Sequence, residues 1–514
     1  MLDGTPALRL YAAARRARLA RQKAATVQER TLAGLVRRAA ATRFGRAHGF
    51  GAIRDVAGFR ARVPLTRYED FWRTWLEPAF PVLDGVAWPG PIPWLAVSSG
   101  TSSGTTKWIP VSPAMMRSNR RAALDVLAWH LAARPGSRVF AGPSLVLGGS
   151  TNLVERAPGV RSGDLSGIAA ATVPRWARSR YFPPPDLALE ADWDRKVERL
   201  ARETPAGVRS ISGTPSWLLV LFERLAALHP SRPARLASWF PDLELVVHGG
   251  VGFQPYRTRF DALLAGSRAE TREVYPASEG FVAVADRGPG EGMRLLLDTG
   301  LFLEFVPVEE LEAASPARHW VADAEAGQDY ALALSTNAGL WAYLLGDTVR
   351  LVSRDPPRIV VTGRTSTMLS AFGEHLIGEE LDGAVAEAAA AIGSNASDFS
   401  VGAVHVEGRG APGHHLFVIE LDPAVAPGEL PRLAAVLDAA LTRRNEDYAA
   451  HRAGDAGMGP PRVLTVPRGF FAAWMRGRGR LGGQNKVPRV VAGETLEGLA
   501  AAARSAVAEA IGGG

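Results

Sequence analysis

A ten-residue polar segment, SSGTSSGTTK at residues 98–107, constrains the fold of this chain more than any other feature. It holds seven hydroxyl side chains and two glycines, and it ends in Lys107. Apolar runs flank it at residues 94–97 and 108–111, so the sequence predicts a polar loop between two strands. Because glycine can adopt positive φ, the N–H groups of such a loop can turn inward and form a concave nest for anions. The segment therefore predicts a polyphosphate site.

Two other interpretations of this segment have to be weighed. A Ser/Gly/Thr run is often an ordinary surface loop, but the short length, the apolar flanks and the terminal lysine favour a binding site. A P-loop requires a Gly-Lys-Ser/Thr sequence and a following helix. Here Gly104 is followed by two threonines, and the chain leaves the loop as a strand-like run. The segment thus indicates a different class of phosphate loop.

Composition narrows the class of protein. The 514 residues suffice for two or three domains, and a chain that is 47% hydrophobic and 22% charged can form an ordinary globular core. The absence of cysteine excludes disulfides, thiolate zinc sites and cysteine nucleophiles, and it is compatible with a cytoplasmic protein. The formal charge of +7 would suit an anionic partner, although the arginine-rich composition also accounts for it. No apolar run approaches the ~18 residues of a membrane span, so no membrane partner is expected.

Strand-like and helix-like runs alternate along most of the chain, which predicts an α/β fold of mixed sheets flanked by helices. Amphipathic helices are expected up to about residue 51, because apolar residues recur there at roughly helical intervals, namely Leu10, Ala14, Leu19, Leu32, Leu35 and Val36. Near residue 366 a smaller unit begins, with a βαβ-like order of elements. We therefore expect a large domain at residues 1–365 and a small domain at residues 366–514.

Several helix starts can be located from capping signals. Thr66, with Glu69 three residues later, has the spacing of a capping box. Ser112 precedes a proline, which is the pattern of an N-cap followed by Pro at the first helical position, and a helix is expected from there to about residue 134. Further helices are predicted at residues 215–228 and 378–391.

Residues suited to nucleotide chemistry occur in the stretch YPASE at residues 275–279, after a predicted strand. An aromatic ring at Tyr275 could stack on a flat base, and Glu279 could ligate a hard cation through oxygen. The simpler interpretation is a turn that carries a solvated carboxylate. From this stretch alone, both interpretations stay open.

Two further stretches place charged residues at predicted strand ends. Asp347 follows Gly346 and could accept hydrogen bonds from the vicinal hydroxyls of a ribose. Arg364 follows another predicted strand and could contact a sugar or a phosphate. Each could equally lie in an ordinary turn.

A glycine- and arginine-rich loop near the C-terminus, residues 477–483, precedes Lys486. Arginine repeats of this kind suit nucleic-acid phosphates. However, single-strand binders interleave aromatic side chains with the charge, and Trp474 is the one aromatic neighbour here. We therefore expect no nucleic-acid partner. The ten histidines show no metal-ligand spacing, so a structural metal is not expected either.

Taken together, these stretches resemble one family, the auxin-responsive (Gretchen Hagen) acyl acid amido synthetases, in a bacterial-type form. This family is a branch of the acyl-adenylate-forming superfamily. The resemblance spans almost the whole chain and is carried by ATRFGRAHGF (41–50), VPLTRYEDF (63–71), SSGTSSGTTKWIP (98–110), VYPASEGF (274–281), YLLGDTVR (343–350), VTGR (361–364) and GGQNKVPR (482–489). The chain departs from the family pattern at Ser103, where a glycine is common, and at Pro276. These departures put a plant hormone substrate in doubt more than adenylation itself.

The resemblance implies the acyl-adenylate-forming fold, with a large N-terminal domain that binds ATP and the acyl acid and a small mobile C-terminal domain. It implies catalytic roles for Lys107, for Glu279 as a Mg²⁺ ligand, and for Lys486 as the mobile lysine that contacts the α-phosphate and the acyl carboxylate. The remaining nucleotide-binding residues that it implies are Ser98, Ser99, Thr101 and Ser102 for the phosphates, Tyr275, Ser278, His248, Gly249 and Gly250 around the adenine, Asp347 for the ribose, and Arg364 near the hinge.

The resemblance also implies the reaction, with ATP and Mg²⁺ as cofactors. The enzyme would activate a carboxylic acid as acyl-AMP and transfer the acyl group to an amine, expected to be that of an amino acid. Ile168, Thr214 and Trp217 are candidates for the acyl pocket, although they could equally be core. A monomer or homodimer is expected. The alternatives are a thioester-forming ligase such as an acyl-CoA synthetase and, more remotely, a basic nucleotide- or nucleic-acid-binding protein without catalysis.

Overall fold

The computed structural model describes residues 3–99, 106–148, 153–188, 190, 192–250, 253, 256–311, 313–365, 369, 376–404, 413–445, 448–449, 452, 458–478 and 487–512. These residues form mixed sheets flanked by helices, so the predicted α/β class is confirmed. The chain divides into two compact units. The first unit comprises residues 1–100, 104–345 and 349–361, and the second unit comprises residues 101–103, 346–348 and 362–514.

Helices of the first unit cover its sheets. They are α1 (Thr5–Ala20), α2 (Ala24–Ala39), α3 (Arg43–Ala47), α4 (Val56–Arg62), α5 (Tyr68–Phe71), α6 (Pro113–Ala133), α7 (Leu165–Ala171), α8 (Pro185–Ala188), α9 (Trp193–Glu203), α10 (Pro215–Leu228), α11 (Leu236–Trp239) and α12 (Arg257–Leu264). The predicted cap of α6 is confirmed, because the Ser112 hydroxyl accepts a hydrogen bond of 3.1 Å from the Met115 N–H.

Sixteen strands are assigned up to residue 364 in the described part of the chain. They are β1 (Trp94–Ser99), β2 (Thr106–Val111), β3 (Ser144–Leu147), β4 (Val154–Ala157), β5 (Val160–Gly163), β6 (Tyr181–Phe182), β7 (Ser210–Gly213), β8 (Leu245–Gly249), β9 (Glu270–Ala277), β10 (Gly280–Val284), β11 (Met293–Leu295), β12 (Leu301–Pro307), β13 (His319–Trp320), β14 (Asp329–Thr336), β15 (Tyr343–Arg354) and β16 (Pro357–Arg364). One sheet has the order β2-β1-β5-β4, and the other has the order β13-β12-β14-β15-β16-β11-β10-β9-β8-β7-β3-β6.

Strands β6, β3, β7, β8 and β9 run parallel to one another, and α10 and α12 lie in the crossovers between consecutive strands. Their registers align Leu147 with Gly213, Gly213 with His248, and Gly249 with Val274. The carboxyl ends of these strands therefore lie at one edge of the sheet. In α/β sheets, ligands bind at such an edge.

The second unit contains a three-stranded sheet with the order β17-β18-β19. Its elements are α13 (Gly378–Ala391), β17 (Asn395–Val404), β18 (His414–Asp422), α14 (Leu430–Arg444), β19 (Arg462–Val466), α15 (Phe470–Gly477) and α16 (Gly493–Gly512). Strands β18 and β19 are parallel and α14 connects them, which matches the predicted βαβ-like order. Among the described residues, no helix combines the length and apolar character needed to cross a membrane.

One local prediction about helices was partly wrong, and another was wrong. The predicted apolar stripe is buried at Leu19, Leu32, Leu35 and Val36. Leu10 is 76% exposed and Ala14 is also exposed, because the buried face of α1 carries Leu8, Ala12 and Leu19 instead. Thr66 does not cap a helix, since α5 begins two residues later without a side-chain cap. Its N–H donates to a backbone carbonyl near the start of β15 instead. A long-range strand contact therefore replaces the local capping box.

Candidate active site

Two strands flank the polar segment, as predicted, and they extend further into it than the apolar runs indicated. Strands β1 and β2 pair antiparallel, with Ser98 opposite Lys107 and Ser99 opposite Thr106. The two ends of the loop are thus fixed by strand pairing, and Lys107 stands near its exit. Two of the predicted phosphate-binding residues lie outside the described residues, namely Thr101 and Ser102.

Tyr68 contacts the exit of this hairpin. Its hydroxyl accepts a hydrogen bond of 2.7 Å from the Trp108 N–H, and the Lys107 Nζ atom lies 5.2 Å from the centre of its ring. The latter distance is within the range of a cation–π contact. Burial raises the pKa of Tyr68 to about 12, and the Glu279 carboxylate is among the negative charges that add to this rise. The Tyr68 hydroxyl is therefore protonated at neutral pH.

Glu279 occupies the turn between β9 and β10, where Ala277 pairs with Gly280. The turn agrees with the simpler interpretation, but the carboxylate is not solvated, because Glu279 is only 7% exposed. The Tyr343 hydroxyl donates to its Oε1 atom at 3.4 Å. Burial, followed by the nearby Glu279 charge, raises the pKa of Tyr343 well above its usual value, so this hydroxyl stays a donor.

The fold therefore brings Lys107 and Glu279 into one neighbourhood through Tyr68 and Tyr343. Sequence reasoning named both charged residues but missed the two tyrosines. The available signal was that both tyrosines lie in stretches already singled out, VPLTRYEDF and YLLGDTVR. Their contacts join residues 40 and 64 positions apart, which no local pattern reveals.

The end of β8 brings His248, Gly249 and Gly250 to the carboxyl edge of the sheet. A Cβ atom on Gly249 would lie 2.1 Å from the Val274 carbonyl oxygen, so only glycine fits there. Gly250 has φ +83°, a conformation that also favours glycine. Gly249 thus lets the backbone pass close to β9, and Gly250 allows the positive φ that follows.

His248 is buried and stacks on Phe253 with 3.7 Å between the ring centres. Burial, with a smaller contribution from Arg257, lowers its pKa to about 3, so the imidazole is neutral at pH 7. Its Nδ1 atom has no hydrogen-bond partner among the residues that the structure describes. A neutral, buried polar group at this edge fits the predicted lining of a nucleotide pocket.

The Tyr275 ring is only 5% exposed and packs in a core cluster with Val282, Ala283 and Leu295. It lies within β9 rather than after a strand, and Ser278 is half-buried in the following turn. The stacking of Tyr275 on adenine stays a prediction.

Asp347 and Arg364 form an ion pair within the second unit, with 3.3 Å between the Arg364 Nε and Asp347 Oδ1 atoms. Their side chains are 15% and 43% exposed, respectively. The sequence suggested two separate ligands at strand ends. Asp347 in fact lies inside the long strand β15, because pairing extends this strand back to Tyr343.

The candidates for the acyl pocket lie in different surroundings. Ile168 is fully buried in one core cluster, whereas Trp217 is half-buried and packs against another. Thr214 precedes α10, and its Oγ1 atom lies 3.9 Å from where a Gly250 Cβ atom would stand. The fold thus brings Thr214 to the predicted nucleotide-lining glycines and places Ile168 in the core.

Lys486 lies outside the described residues, so its predicted role stays untested. Within the described residues, no cluster of three or more His, Asp or Glu side chains could hold a metal ion. Mg²⁺ is typically bound by one or two carboxylates together with substrate phosphates and water. The buried Glu279 carboxylate in the neighbourhood of Lys107 fits such a shared site and does not fit an all-protein one.

Comparisons with known proteins agree with this architecture. Three family models match the chain: the GH3 family N-terminal domain at residues 13–201, the central domain at residues 294–364 and the C-terminal domain at residues 379–495. Together they match most of the chain.

Similar curated proteins are plant enzymes. Indole-3-acetic acid-amido synthetase GH3.3 of Arabidopsis thaliana is 26% identical over 231 residues, which span 42% of this chain and 38% of that protein. A probable indole-3-acetic acid-amido synthetase, GH3.12 of Oryza sativa subsp. japonica, is 24% identical over an alignment that covers 91% of each chain. The former alignment thus spans well under half of the relative's length.

Solved structures share the fold. A GH3.15 acyl acid amido synthetase superposes with a TM-score of 0.76 at 20% identity, over 93% of each chain. A 2-hydroxyisobutyryl-CoA ligase in the postadenylation state superposes with a TM-score of 0.60 at 16% identity, over 92% of this chain and 91% of that one. The fold is therefore that of acyl-adenylate-forming ligases, and the matched domains show that the chain belongs to the GH3 family.

Proposed function

We propose that this protein is an ATP-dependent acyl acid amido synthetase, a ligase that forms an amide through an acyl-adenylate. The observation that carries the proposal is the convergence of Lys107 and Glu279 beside the phosphate-loop hairpin. A cation and a buried carboxylate at this place suit a nucleoside triphosphate and its metal. Membership of the GH3 family supports the same reaction.

In the first half-reaction, an oxygen of the substrate carboxylate attacks the α-phosphorus of ATP, and the bond to pyrophosphate breaks. Lys107 and Lys486 would stabilise the negative charge that develops there. Mg²⁺ held by Glu279 would supply further charge stabilisation. The loop at residues 98–107 would position the phosphates, and Asp347 would hold the ribose hydroxyls. Positioning of this kind supplies much of the rate in phosphoryl-type transfers.

In the second half-reaction, the nitrogen of an amine attacks the acyl carbon, the bond from that carbon to the phosphate oxygen breaks, AMP leaves, and the nitrogen loses a proton to solvent. The sequence offers no cysteine for a covalent acyl relay, so the acyl group would pass directly from the adenylate to the amine. We assign acid and ATP binding to a large domain and the mobile lysine to a small domain, with their boundary near residue 366. We further propose a cytoplasmic enzyme that acts on small molecules as a monomer or homodimer.

The test is ATP–pyrophosphate exchange with a panel of aryl and alkyl carboxylic acids and no amine. Exchange that depends on one acid would establish adenylation and identify the acyl substrate. Product masses with amino acids or with CoA would then separate an amide synthetase from a thioester-forming ligase. Steeply salt-dependent DNA binding without exchange would instead favour the non-catalytic alternative.

A further inference from the structure

The segment at residues 63–71 carries part of the family resemblance, yet none of its residues has a role in the proposed reaction. In the structure its backbone pairs with the start of β15. The Thr66 N–H donates to the Ala342 carbonyl at 3.0 Å, and the Leu344 N–H donates to the Thr66 carbonyl at 2.9 Å. These two bonds form a parallel β-bridge between Thr66 and Tyr343. Tyr68 lies two residues after Thr66 in the sequence. One bridge therefore restrains both tyrosines.

The backbone is strained immediately before Tyr343. Ala342 has φ +43°, a left-handed value that no other residue apart from glycine adopts in the described ranges. Its N–H donates to the Ser335 hydroxyl at 2.9 Å, and its carbonyl accepts from Thr66. Strained conformations persist where the surroundings determine them, and they cluster at functional sites. Hydrogen bonds at both the N–H and the carbonyl of Ala342 thus fix the position at which the chain enters β15.

Each tyrosine contacts a charged residue without cancelling its charge. The Tyr343 hydroxyl is neutral, so it holds one oxygen of Glu279 and leaves the negative charge in place. The Tyr68 ring is also neutral, so its contact with Lys107 orients the ammonium group and leaves the positive charge available for phosphate. An oppositely charged side chain in either place would fix the geometry but neutralise the group.

We propose that Tyr343 and Tyr68 are positioning residues for adenylation, with Tyr343 orienting the Glu279 carboxylate for the metal and Tyr68 orienting Lys107 for the phosphates. The inference rests on the proposed function for the identity of the ligand, ATP with Mg²⁺. It also gives residues 63–71 a role, because the Thr66 bridge couples the two tyrosines.

The test of Tyr343 is Tyr343→Phe, which keeps the ring and removes the hydrogen bond to Glu279. We expect the Mg²⁺ concentration for half-maximal ATP binding, measured by calorimetry, to rise about tenfold, the scale of a lost hydrogen bond to a charged group. Pyrophosphate exchange should show the same shift. The matched control is Tyr330→Phe, because Tyr330 is equally buried and its hydroxyl bonds to Gln328 and Glu325. The control should leave Mg²⁺ dependence unchanged.

Ala342→Gly provides a second variant should Tyr343→Phe fail to fold. Glycine adopts the positive φ without strain, so folding is retained while the restraint before Tyr343 is loosened. We expect its half-maximal Mg²⁺ concentration to rise about twofold, a fraction of the loss in Tyr343→Phe. An unchanged Mg²⁺ dependence in whichever of these variants folds overturns the role of Tyr343.

The test of Tyr68 compares Tyr68→Phe, which keeps the ring, with Tyr68→Leu, which removes it. We expect Tyr68→Leu to weaken the binding of ATP with Mg²⁺ about threefold more than Tyr68→Phe, the scale of a partly exposed cation–π contact. In a Lys107→Met background this difference should vanish. Equal effects of the two variants, or a difference that persists without Lys107, overturn the role of Tyr68.

The binding measurements separate this inference from the proposed function. A wild-type protein that binds ATP with Mg²⁺ but adenylates no acid contradicts the proposed reaction, while the variants still decide the roles of the tyrosines. A wild-type protein that does not bind ATP under these conditions overturns both.

Discussion

The two units hold their predicted nucleotide-binding residues in opposite ways. In the first unit Glu279 and His248 are buried, and Glu279 accepts a hydrogen bond from a neutral hydroxyl. In the second unit Asp347 is paired with Arg364, a cation that is itself nearly half exposed. A buried carboxylate that accepts a hydrogen bond from a neutral hydroxyl suits a metal cation. A carboxylate already balanced by arginine suits a neutral ligand such as ribose hydroxyls.

This difference also predicts how mutations act. Buried charges interact strongly because little water screens them, whereas exposed pairs contribute little and weaken with salt. Among the described residues, we therefore expect Glu279 to affect catalysis and His248 to affect pH dependence more strongly than the Asp347–Arg364 pair does. Asp347 and Arg364 should mainly adjust ATP affinity.

The largest effect is expected at Lys486, which lies outside the residues that the structure describes. Lys486→Ala should abolish pyrophosphate exchange, because we assign to this lysine the charge at the α-phosphate. Circular dichroism and the unfolding temperature should stay near wild type. Arg468→Ala, which removes an exposed cation from the same unit, is the control and should keep its activity. Exchange retained by a folded Lys486→Ala protein would contradict the role that we assign to this lysine and would mean that the other site residues suffice for adenylation.

The second largest effect is expected at Glu279. Glu279→Gln keeps the size of the side chain and removes its charge, so exchange should fall by about 10²–10³-fold, as for other electrostatic groups in active sites. The matched variant Glu273→Gln alters a half-buried carboxylate on the neighbouring strand β9 and should have a much smaller effect. Equal losses in the two variants would break the comparison, because burial on this sheet rather than a metal-binding role would then explain both.

Elements with strong local signals could be predicted from the sequence alone. The helices expected at residues 215–228 and 378–391 have these bounds in α10 and α13, because apolar periodicity decides them locally. The two strands that flank the polar segment and the family membership were also predicted correctly. The capping box at Thr66 failed because a partner in a distant part of the sequence competes for its backbone.

The candidate site could be predicted as a set of residues but not as an arrangement. The sequence named Glu279 and Asp347 in the same terms, as carboxylates in possible turns. Nothing local indicates that one is buried beside Tyr343 and that the other pairs with Arg364. Those differences arise from contacts between distant strands, and they determine which ligand each carboxylate suits.

A moderate effect is expected on stability at low pH through His248. Its pKa is lowered from 6.5 to about 3 in the folded protein, so the unfolded chain binds a proton first as the pH falls. The contribution of His248 to stability is therefore complete above about pH 6.5 and is lost progressively toward pH 3. The loss should reach about 2 kcal/mol at pH 5. His248→Asn should unfold with a flatter pH dependence between about pH 7 and pH 5. A profile parallel to wild type would show that His248 is protonated or solvated in the native protein.

The smallest effect is expected at the Asp347–Arg364 pair. Asp347→Asn should raise the KM for ATP by about tenfold with little change in kcat, because hydrogen bonds from the ribose weaken. Arg364→Gln should raise it only about twofold, since an ion pair whose cation is partly exposed contributes little. Raising the salt concentration to about 0.5 M should reduce the Arg364→Gln effect further, because the screening length then falls below that at physiological salt. The Glu279→Gln loss should not respond to salt in this way. Salt-independent effects at both Glu279 and Arg364 would show that the Asp347–Arg364 pair is also shielded from water. The contrast between Glu279 and this partly exposed pair would then not hold.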